Sequence, residues 1–281
     1  MQFGISTHLY HQHRLGREHL LELAEFGFGQ VELFATVGHF DYHDPAAIDQ
    51  LAGWLAEAGL SLHSVHAPIV EHRLDGRWGP ALSTAVANEP ARKRAVAEAV
   101  AASAIASRLP YRYLVLHLGI PAPAEPTPGD NSPEAARRSL EEIASAAAPL
   151  GVKIAVEVIP NRISEAGRLV RLLEDDLDLP SPGAGICLDM GHAFLMGDVA
   201  EAIETVSGHL VTTHVHDNLG KEDDHLAPLD GEIDWPLAVM SLRKVGYEGA
   251  IVFEVADTGS PRTVLKRTVE ARRRFEEILA E

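Results

Sequence analysis

The chain of 281 residues is 46% hydrophobic and 23% charged, a balance typical of a soluble globular protein that buries a large core. Its formal charge of −17 and pI near 5.3 argue against broad binding to phosphate backbones, which depends on clustered Lys and Arg. The one cysteine, Cys187, excludes an internal disulfide and a metal site built from several thiolates. The sequence contains neither an apolar run of the roughly 18 residues that span a membrane nor a signal-like start, so we expect a cytoplasmic protein without a membrane partner.

One unit recurs along the chain: an amphipathic helix, a glycine and a short run rich in β-branched residues. It occurs as LLELAEFGFGQVELF, LAGWLAEAGLSLHSV, IASAAAPLGVKIAVEV and LRKVGYEGAIVFEV. The glycine supplies a left-handed helix cap, and a nearly continuous Val, Ile and Leu run suits a parallel strand that is covered on both faces. The pattern predicts strands near 3–6, 30–34, 61–66, 113–118, 153–158, 185–189, 210–216 and 250–255.

Helical stretches separate the predicted strands, and another one ends the chain. Their starts are marked by a capping side chain ahead of a proline in the first turn, at Asp44-Pro45, Ser132-Pro133, Asp234-Trp235-Pro236 and Ser260-Pro261. Eight strand–helix pairs predict an α/β protein with a (β/α)8 TIM barrel as its single domain over residues 1–281. An open, doubly wound sheet is the alternative, because alternation alone does not prove closure.

Polar residues end most of the predicted strands. The connections after the third, fourth and seventh strands are long, so long loops gather at the carboxyl-terminal ends of the strands, where barrel enzymes build their active sites. Six consecutive strands, the third to the eighth, end in a candidate metal ligand. In strand order these residues are His66, His117, Glu157, Asp189, the pair His214 and His216, and Glu254.

Carboxylates at the ends of apolar strands need a physical reason, because an unpaired buried charge is costly and like charges repel. A divalent cation supplies one. Oxygen from carboxylates with nitrogen from imidazoles suits Zn²⁺ or Mn²⁺ first, and then Co²⁺, Fe²⁺ or Mg²⁺. Each residue alone has a plainer interpretation, a histidine bonded to a carbonyl or a carboxylate that caps a helix, so the hypothesis depends on the coincidence over six strands. Glu32 and His8 fit the same geometry less distinctively and are expected as supporting or pocket residues.

At these residues the chain resembles the xylose-isomerase-like barrel superfamily over nearly its whole length. The superfamily includes sugar and sugar-phosphate isomerases and epimerases, inosose dehydratases, and the endonuclease IV type of DNA-repair nuclease (AP endonuclease family 2). In its isomerases and epimerases a Glu, an Asp, a His and a Glu from the last four strands hold the metal. The resemblance implies Glu157, Asp189, His214 and Glu254 as metal ligands, and its His-x-x-Asp pattern selects His214 over His216.

Further residues match the ligands of the nucleases. The stretch LDMGHAF resembles a segment whose histidine, here His192, contacts substrate in epimerases and a further zinc in nucleases. Asp223 and His225 resemble a pair that binds an additional zinc, while His66 and His117 match ligands of the first zinc, so all nine positions of a three-zinc site have a counterpart. The segment DNLGKEDDHLAPLDGEIDW also resembles a form seen in sugar isomerases or epimerases, and a solvated acidic loop is the plainer interpretation of its adjacent aspartates.

The resemblance implies a divalent-metal-dependent isomerase or epimerase of a sugar, sugar phosphate or keto-polyol. Glu157 and Glu254 would then transfer a proton through a metal-stabilised enediolate, and His192 and His216 would bind the substrate. The alternative is an endonuclease IV-like hydrolase with several zinc ions that acts on abasic DNA. The net charge, the lack of an evident Arg/Lys-rich loop on the active face and the 6% aromatic content argue against nucleic acid as the partner.

A barrel that binds a ligand without activity is the third interpretation, and it is favoured if the strand-end residues hold no metal. The sequence is compatible with one metal or three, and it carries no glycine-rich phosphate loop. Dimers and tetramers are common among the proteins that this one resembles, so a homo-oligomer is one expectation.

Overall fold

The computed structural model describes residues 1–74, 77–124, 126–175, 177 and 179–280. Eight parallel strands form a closed barrel, in which each strand pairs with the next and the last pairs with the first. The barrel strands, numbered in chain order, are β1 (Gln2–Ser6), β2 (Gln30–Phe34), β3 (Ser61–His66), β4 (Tyr113–Leu116), β5 (Lys153–Glu157), β6 (Ala184–Asp189), β7 (Leu210–Val215) and β8 (Ala250–Phe253). The closed sheet confirms the predicted TIM barrel and excludes the open sheet.

Helices cover the outside of the barrel. In the described part of the chain they are α1 (Arg17–Glu25), α2 (Pro45–Ala58), α3 (Glu89–Ser103), α4 (Pro133–Ala147), α5 (Ala166–Asp175), α6 (Met190–Met196), α7 (Val199–Val206), α8 (Trp235–Lys244) and α9 (Pro261–Ala280). The predicted capping residues Asp44, Ser132 and Asp234 each accept a hydrogen bond from a backbone N–H in the first turn of their helix. Local capping therefore fixes where these helices begin.

Four strands end one or two residues earlier than predicted. The last paired residue of β8 is Phe253, opposite Val215 of β7, and the ladder between β4 and β5 ends at Leu116. His117, His216 and Glu254 therefore lie just after their strands rather than within them. Since the backbone leaves the sheet at these points, the three side chains are free to turn towards the barrel axis.

The apolar core lies mainly between the barrel and its helices. On α9, Phe275 packs with its ring centroid 6.1 Å from that of Phe253 and 5.3 Å from that of Trp235, and all three side chains are buried. Burial of each such side chain stabilises the fold by roughly 1.5–3 kcal/mol. Inside the barrel, Val115 and Cys187 belong to a smaller apolar cluster. Polar side chains, in contrast, are buried at the carboxyl-terminal ends of the strands.

The predicted asymmetry of the loops is present. The long connections 67–88, 117–132 and 216–234 follow β3, β4 and β7 at the carboxyl-terminal face. The first of them contains a two-stranded antiparallel ribbon, Arg73–Leu74 with Arg77–Trp78. In the described residues no helix is both long enough and apolar enough to cross a membrane.

The buried imidazole of His39, in the loop after β2, makes the stability of the fold depend on pH. Its Nδ1 donates to the carbonyl of His13 (2.6 Å), its Nε2 lies 3.2 Å from Oγ1 of Thr7, and burial lowers its pKa from 6.5 to about 4. Because the folded-state pKa is below the unfolded value, stability is lost as the pH falls from about 6.5 towards 4. We expect the destabilisation caused by His39→Gln to be smaller at about pH 5 than at about pH 7, by about 2 kcal/mol.

Urea unfolding at the two pH values measures this difference. Gln50→Ala, at an exposed residue of α2 without a titratable group, is the control and should change the stability equally at both pH values. Equal destabilisation by His39→Gln at both pH values would contradict the assignment of a neutral, buried imidazole.

Candidate metal centre

Imidazole and carboxylate side chains converge in three groups at the carboxyl-terminal ends of β3 to β8. Within each group, ligand atoms of all members lie within 4.8 Å of one another. The core group is Glu157, Asp189, His214 and Glu254; the second group is His66, His117 and Glu157; the third group is His192, His216, Asp223 and His225. The structure thus brings together all nine residues that the sequence singled out as ligands, and it adds His216, which was expected to bind substrate. Glu157 belongs to two groups.

The core group is organised around one nitrogen of a fully buried histidine. Nδ1 of His214 lies 3.2 Å from Oε1 of Glu157, 3.3 Å from Oε2 of Glu254 and 3.9 Å from Oδ2 of Asp189. One nitrogen offers at most one proton, so it cannot satisfy three carboxylates. Ligand atoms around a tetrahedral zinc with bonds of about 2.0–2.1 Å lie about 3.3 Å apart, and this donor set fits such an ion.

The second group shows close contacts without hydrogen bonds. Nε2 of His117 and Nε2 of His66 lie 3.0 Å and 3.2 Å from Oε2 of Glu157, yet this buried oxygen accepts no hydrogen bond. Nδ1 of His66 donates to the carbonyl of Ala67 (2.8 Å), so Nε2 is the nitrogen that faces the carboxylate and would bind a metal ion. Imidazole nitrogens and a carboxylate oxygen that face a common point form the arrangement that a cation requires.

The third group is built around Asp223, in the loop after β7. Its Oδ2 lies 3.0 Å from Nε2 of His192 and 3.3 Å from Nε2 of His225, and its Oδ1 has no hydrogen-bond partner. His225 adopts a left-handed backbone (φ 47°), which non-glycine residues rarely do, and its Nδ1 donates to the backbone carbonyl of Glu254 (2.7 Å). This bond turns Nε2 towards the group. His216, 3.7 Å from Asp223 and 3.0 Å from Asp189, lies between the third group and the core group.

The region around the three groups is strongly negative when its imidazoles are neutral and no metal is bound. In the part of the chain that the structure describes, neither Lys nor Arg forms an ion pair with its five carboxylates, Glu32, Glu157, Asp189, Asp223 and Glu254. Burial lowers the pKa of His66 and His225, but the Glu157 and Asp223 carboxylates outweigh it and raise each pKa to about 9. The carboxylates therefore hold protons on these imidazoles, and a bound cation would displace them.

Gly191 has a role that the sequence alone did not reveal. It follows Asp189 at the start of α6, and a Cβ built on it would lie 2.0 Å from Cε1 of His216. Only glycine leaves room for that ring against the helix backbone. Nδ2 of Asn218 also donates to the Gly191 carbonyl (2.9 Å), which ties the loop after β7 to α6. The motif LDMGH contained this signal, although only its histidine was assigned a function.

Asp217 holds the loop that carries Asp223 and His225. Its fully buried Oδ2 accepts from Nε1 of Trp235 (2.7 Å) and from the backbone N–H of Leu229 (3.0 Å), and Oδ1 accepts from the N–H of Ile233 (3.2 Å). These bonds satisfy the buried charge and close the loop on itself. The sequence shows Asp217 and Trp235 at the two ends of the segment DNLGKEDDHLAPLDGEIDW, but it does not show that they are in contact.

Glu32 lies beneath the core group and contacts His214. Its Oε2 accepts from Nε2 of His214 (3.0 Å) and from Oγ of Ser64 (2.7 Å). Because Glu32 accepts the proton on Nε2 of His214, Nδ1 is the nitrogen that remains for a metal ion. We expect Glu32→Gln to weaken zinc binding at the core group by about 10–100-fold, the usual effect of losing such a partner.

Competition between the protein and a fluorescent zinc chelator measures this affinity. Glu248→Gln, an exposed carboxylate at the opposite end of the barrel, serves as the control, and circular dichroism checks that both variants are folded. An affinity of Glu32→Gln equal to that of the control would rule out the orienting role.

Comparison with known proteins identifies the family. The family model described as "Xylose isomerase-like TIM barrel" matches residues 20–276. A D-tagatose 3-epimerase-like protein superposes with a TM-score of 0.79 and 25% identity over 100% of this chain and 97% of that chain. An AP endonuclease family 2 protein from Brucella melitensis superposes with a TM-score of 0.69 and 22% identity over 94% of this chain and 97% of that chain.

Curated relatives match over a shorter length. An uncharacterized protein of Methanocaldococcus jannaschii is 33% identical over 139 residues, which is 47% of this chain and 47% of the relative. The matched part thus spans about half the length of that relative, whereas the family model extends over most of this chain. The chain belongs to the xylose isomerase-like TIM barrel family.

Proposed function

We propose that this protein is a divalent-metal-dependent isomerase or epimerase of a sugar, sugar phosphate or keto-polyol. The observation that carries the proposal is the convergence of Glu157, Asp189 and Glu254 on Nδ1 of His214 at the carboxyl-terminal face of the barrel. The full-length similarity to a D-tagatose 3-epimerase-like protein supports the same class of substrate. Zn²⁺ and Mn²⁺ are the metals that the donor set suits best.

Two carboxylates of the core group, Glu157 and Glu254, would exchange protons with the substrate. A divalent cation held there would polarise a substrate carbonyl and so acidify the neighbouring C–H. Glu157 is the last residue of β5 and Glu254 directly follows β8, so they approach His214 of β7 from different strands. One would remove the proton from carbon and the other would return a proton. His192 and His216, at the border of the third group, would orient the substrate hydroxyls.

Exchange of substrate hydrogen with solvent deuterium tests the proposal. The metal-loaded protein is incubated in D₂O with a panel of ketoses and keto-polyols, and incorporation is followed by NMR. We expect deuterium next to the carbonyl of at least one sugar, and a rate about 10²–10⁴-fold lower in Glu254→Gln. Glu248→Gln is the matched control and should exchange at the wild-type rate. A fully loaded protein that exchanges hydrogen in none of the sugars would disprove the isomerase or epimerase.

A second candidate function is favoured by the two additional groups. Proton transfer between carbons requires only the core group, whereas the second and third groups offer donors for further cations around the shared Glu157. Clustered cations are typical of phosphodiester hydrolysis, and one structural neighbour is an AP endonuclease family 2 protein. The candidate is a multi-zinc hydrolase that acts on abasic DNA. Nicking of an abasic oligonucleotide that Asp223→Ala abolishes would replace the first proposal with this one, and the net charge of −17 argues against that outcome.

A further inference from the structure

A pocket of about 520 Å³ lies between α4 and α5, beside the loops that follow β4 and β5. Its lining contains no member of the three metal-ligand groups. Three arginines, Arg162, Arg168 and Arg171, surround it, while Ile163 and Leu172 contribute apolar surface. Its volume falls in the range of about 300–1,000 Å³ that is common for sites of small ligands. The pocket is therefore large enough for a ligand and distinct from the metal centre.

Within the described residues, none of the three arginines of this pocket forms an ion pair, whereas other exposed arginines such as Arg17 and Arg262 are paired with glutamates. Asp175 is the one acidic residue among the described residues that line the pocket. In a chain of net charge −17, three guanidinium groups around one cavity are an unusual concentration of cations. An anionic ligand would balance them.

One helix end adds to the positive potential. Arg168 lines the pocket and lies in the first turn of α5, which contains no acidic residue, whereas the first turn of α4 contains Glu134. The amino-terminal end of a helix carries a partial positive charge, so a cation placed there is less favourable than an anion. The start of α5 and the guanidinium groups therefore favour the same kind of ligand.

We propose that this pocket binds the phosphate group of a small phosphorylated molecule. A guanidinium group offers paired donors that match two phosphate oxygens, and three of them suit a dianion better than a carboxylate. The assignment does not depend on the proposed function, because it concerns binding at residues outside the metal centre and is measured without turnover.

Calorimetric titration of the metal-loaded protein with inorganic phosphate tests the site. The pocket variant carries Arg→Gln at positions 162, 168 and 171. The control variant carries the same three charge changes at exposed arginines elsewhere, Arg14, Arg243 and Arg273. We expect the pocket variant to lose at least about tenfold in phosphate affinity and the control to stay within about twofold of wild type. The difference in phosphate affinity between the two variants reports binding at the pocket, because phosphate that binds to the metals contributes equally to both.

Equal phosphate affinity in the two variants, or absence of phosphate binding in the wild-type protein, would overturn the proposal. A second titration with glucose 6-phosphate and with a short single-stranded oligonucleotide distinguishes the two sources of phosphate. Arginine-dependent binding of the sugar phosphate supports a small ligand. Arginine-dependent binding of the oligonucleotide alone would overturn that assignment in favour of a nucleic acid backbone.

Discussion

Glu157→Gln is expected to abolish metal binding at two of the three groups and to reduce deuterium exchange by about 10²–10⁴-fold. Glu157 contributes Oε1 to the core group, 3.2 Å from His214, and Oε2 to the second group, 3.0 Å from His117. An amide keeps the shape of the side chain, but it removes the negative charge and offers only one acceptor oxygen. We expect one metal ion per group in the wild-type protein and a single retained ion in the variant.

Metal content after dialysis, measured by mass spectrometry, checks this expectation. Glu165→Gln, an exposed carboxylate on the loop after β5, is the matched control and should retain every ion. The metal-free Glu157→Gln protein should unfold at a lower temperature than the metal-free wild type, because the imidazoles of His66, His117 and His214 lose the carboxylate that they surround. Circular dichroism checks that the variant is folded. A folded Glu157→Gln protein with the metal content of the wild type would show that the groups do not share this residue.

Most of the fold could be predicted because its signals are local. A capping side chain at Asp44 or Ser132 and a glycine after a helix act within a few residues of their own position. Strand ends were less accurate because they depend on a partner strand: β8 ends at Phe253, where its pairing with Val215 of β7 ends. That partner cannot be identified from the sequence around residue 253.

The convergence of the candidate ligands could also be predicted, because the ends of parallel barrel strands meet on one face whatever their distance in the chain. Their division into three groups could not, since it depends on distances between side chains. The bond between Glu32 and His214 joins residues 182 positions apart, and the space for His216 depends on Gly191 of another element. The expected role of His216 in substrate binding remains a prediction, because its ring lies both beside Asp189 of the core group and within the third group.

Asp223→Ala is expected to remove the metal ion of the third group and to leave the other two in place. The carboxylate is the common partner of His192 and His225, and without it two buried imidazoles face each other with no negative charge between them. Asp223 raises the pKa of His225 to about 9, and without this carboxylate the pKa should fall because burial disfavours the charged imidazole. Metal content should decrease by one equivalent. Asp224→Ala changes the neighbouring aspartate, which lies outside the three groups, and this variant should retain every metal ion.

The same variant separates the two candidate functions, because the core group does not include Asp223. If the protein is an isomerase or epimerase, deuterium exchange by Asp223→Ala should stay within about tenfold of wild type, since both proton-transferring carboxylates and their metal are retained. If the protein is a hydrolase that uses clustered cations, Asp223→Ala should instead abolish nicking of an abasic oligonucleotide. Loss of exchange while the core ion is still bound would contradict the assignment of proton transfer to the core group alone.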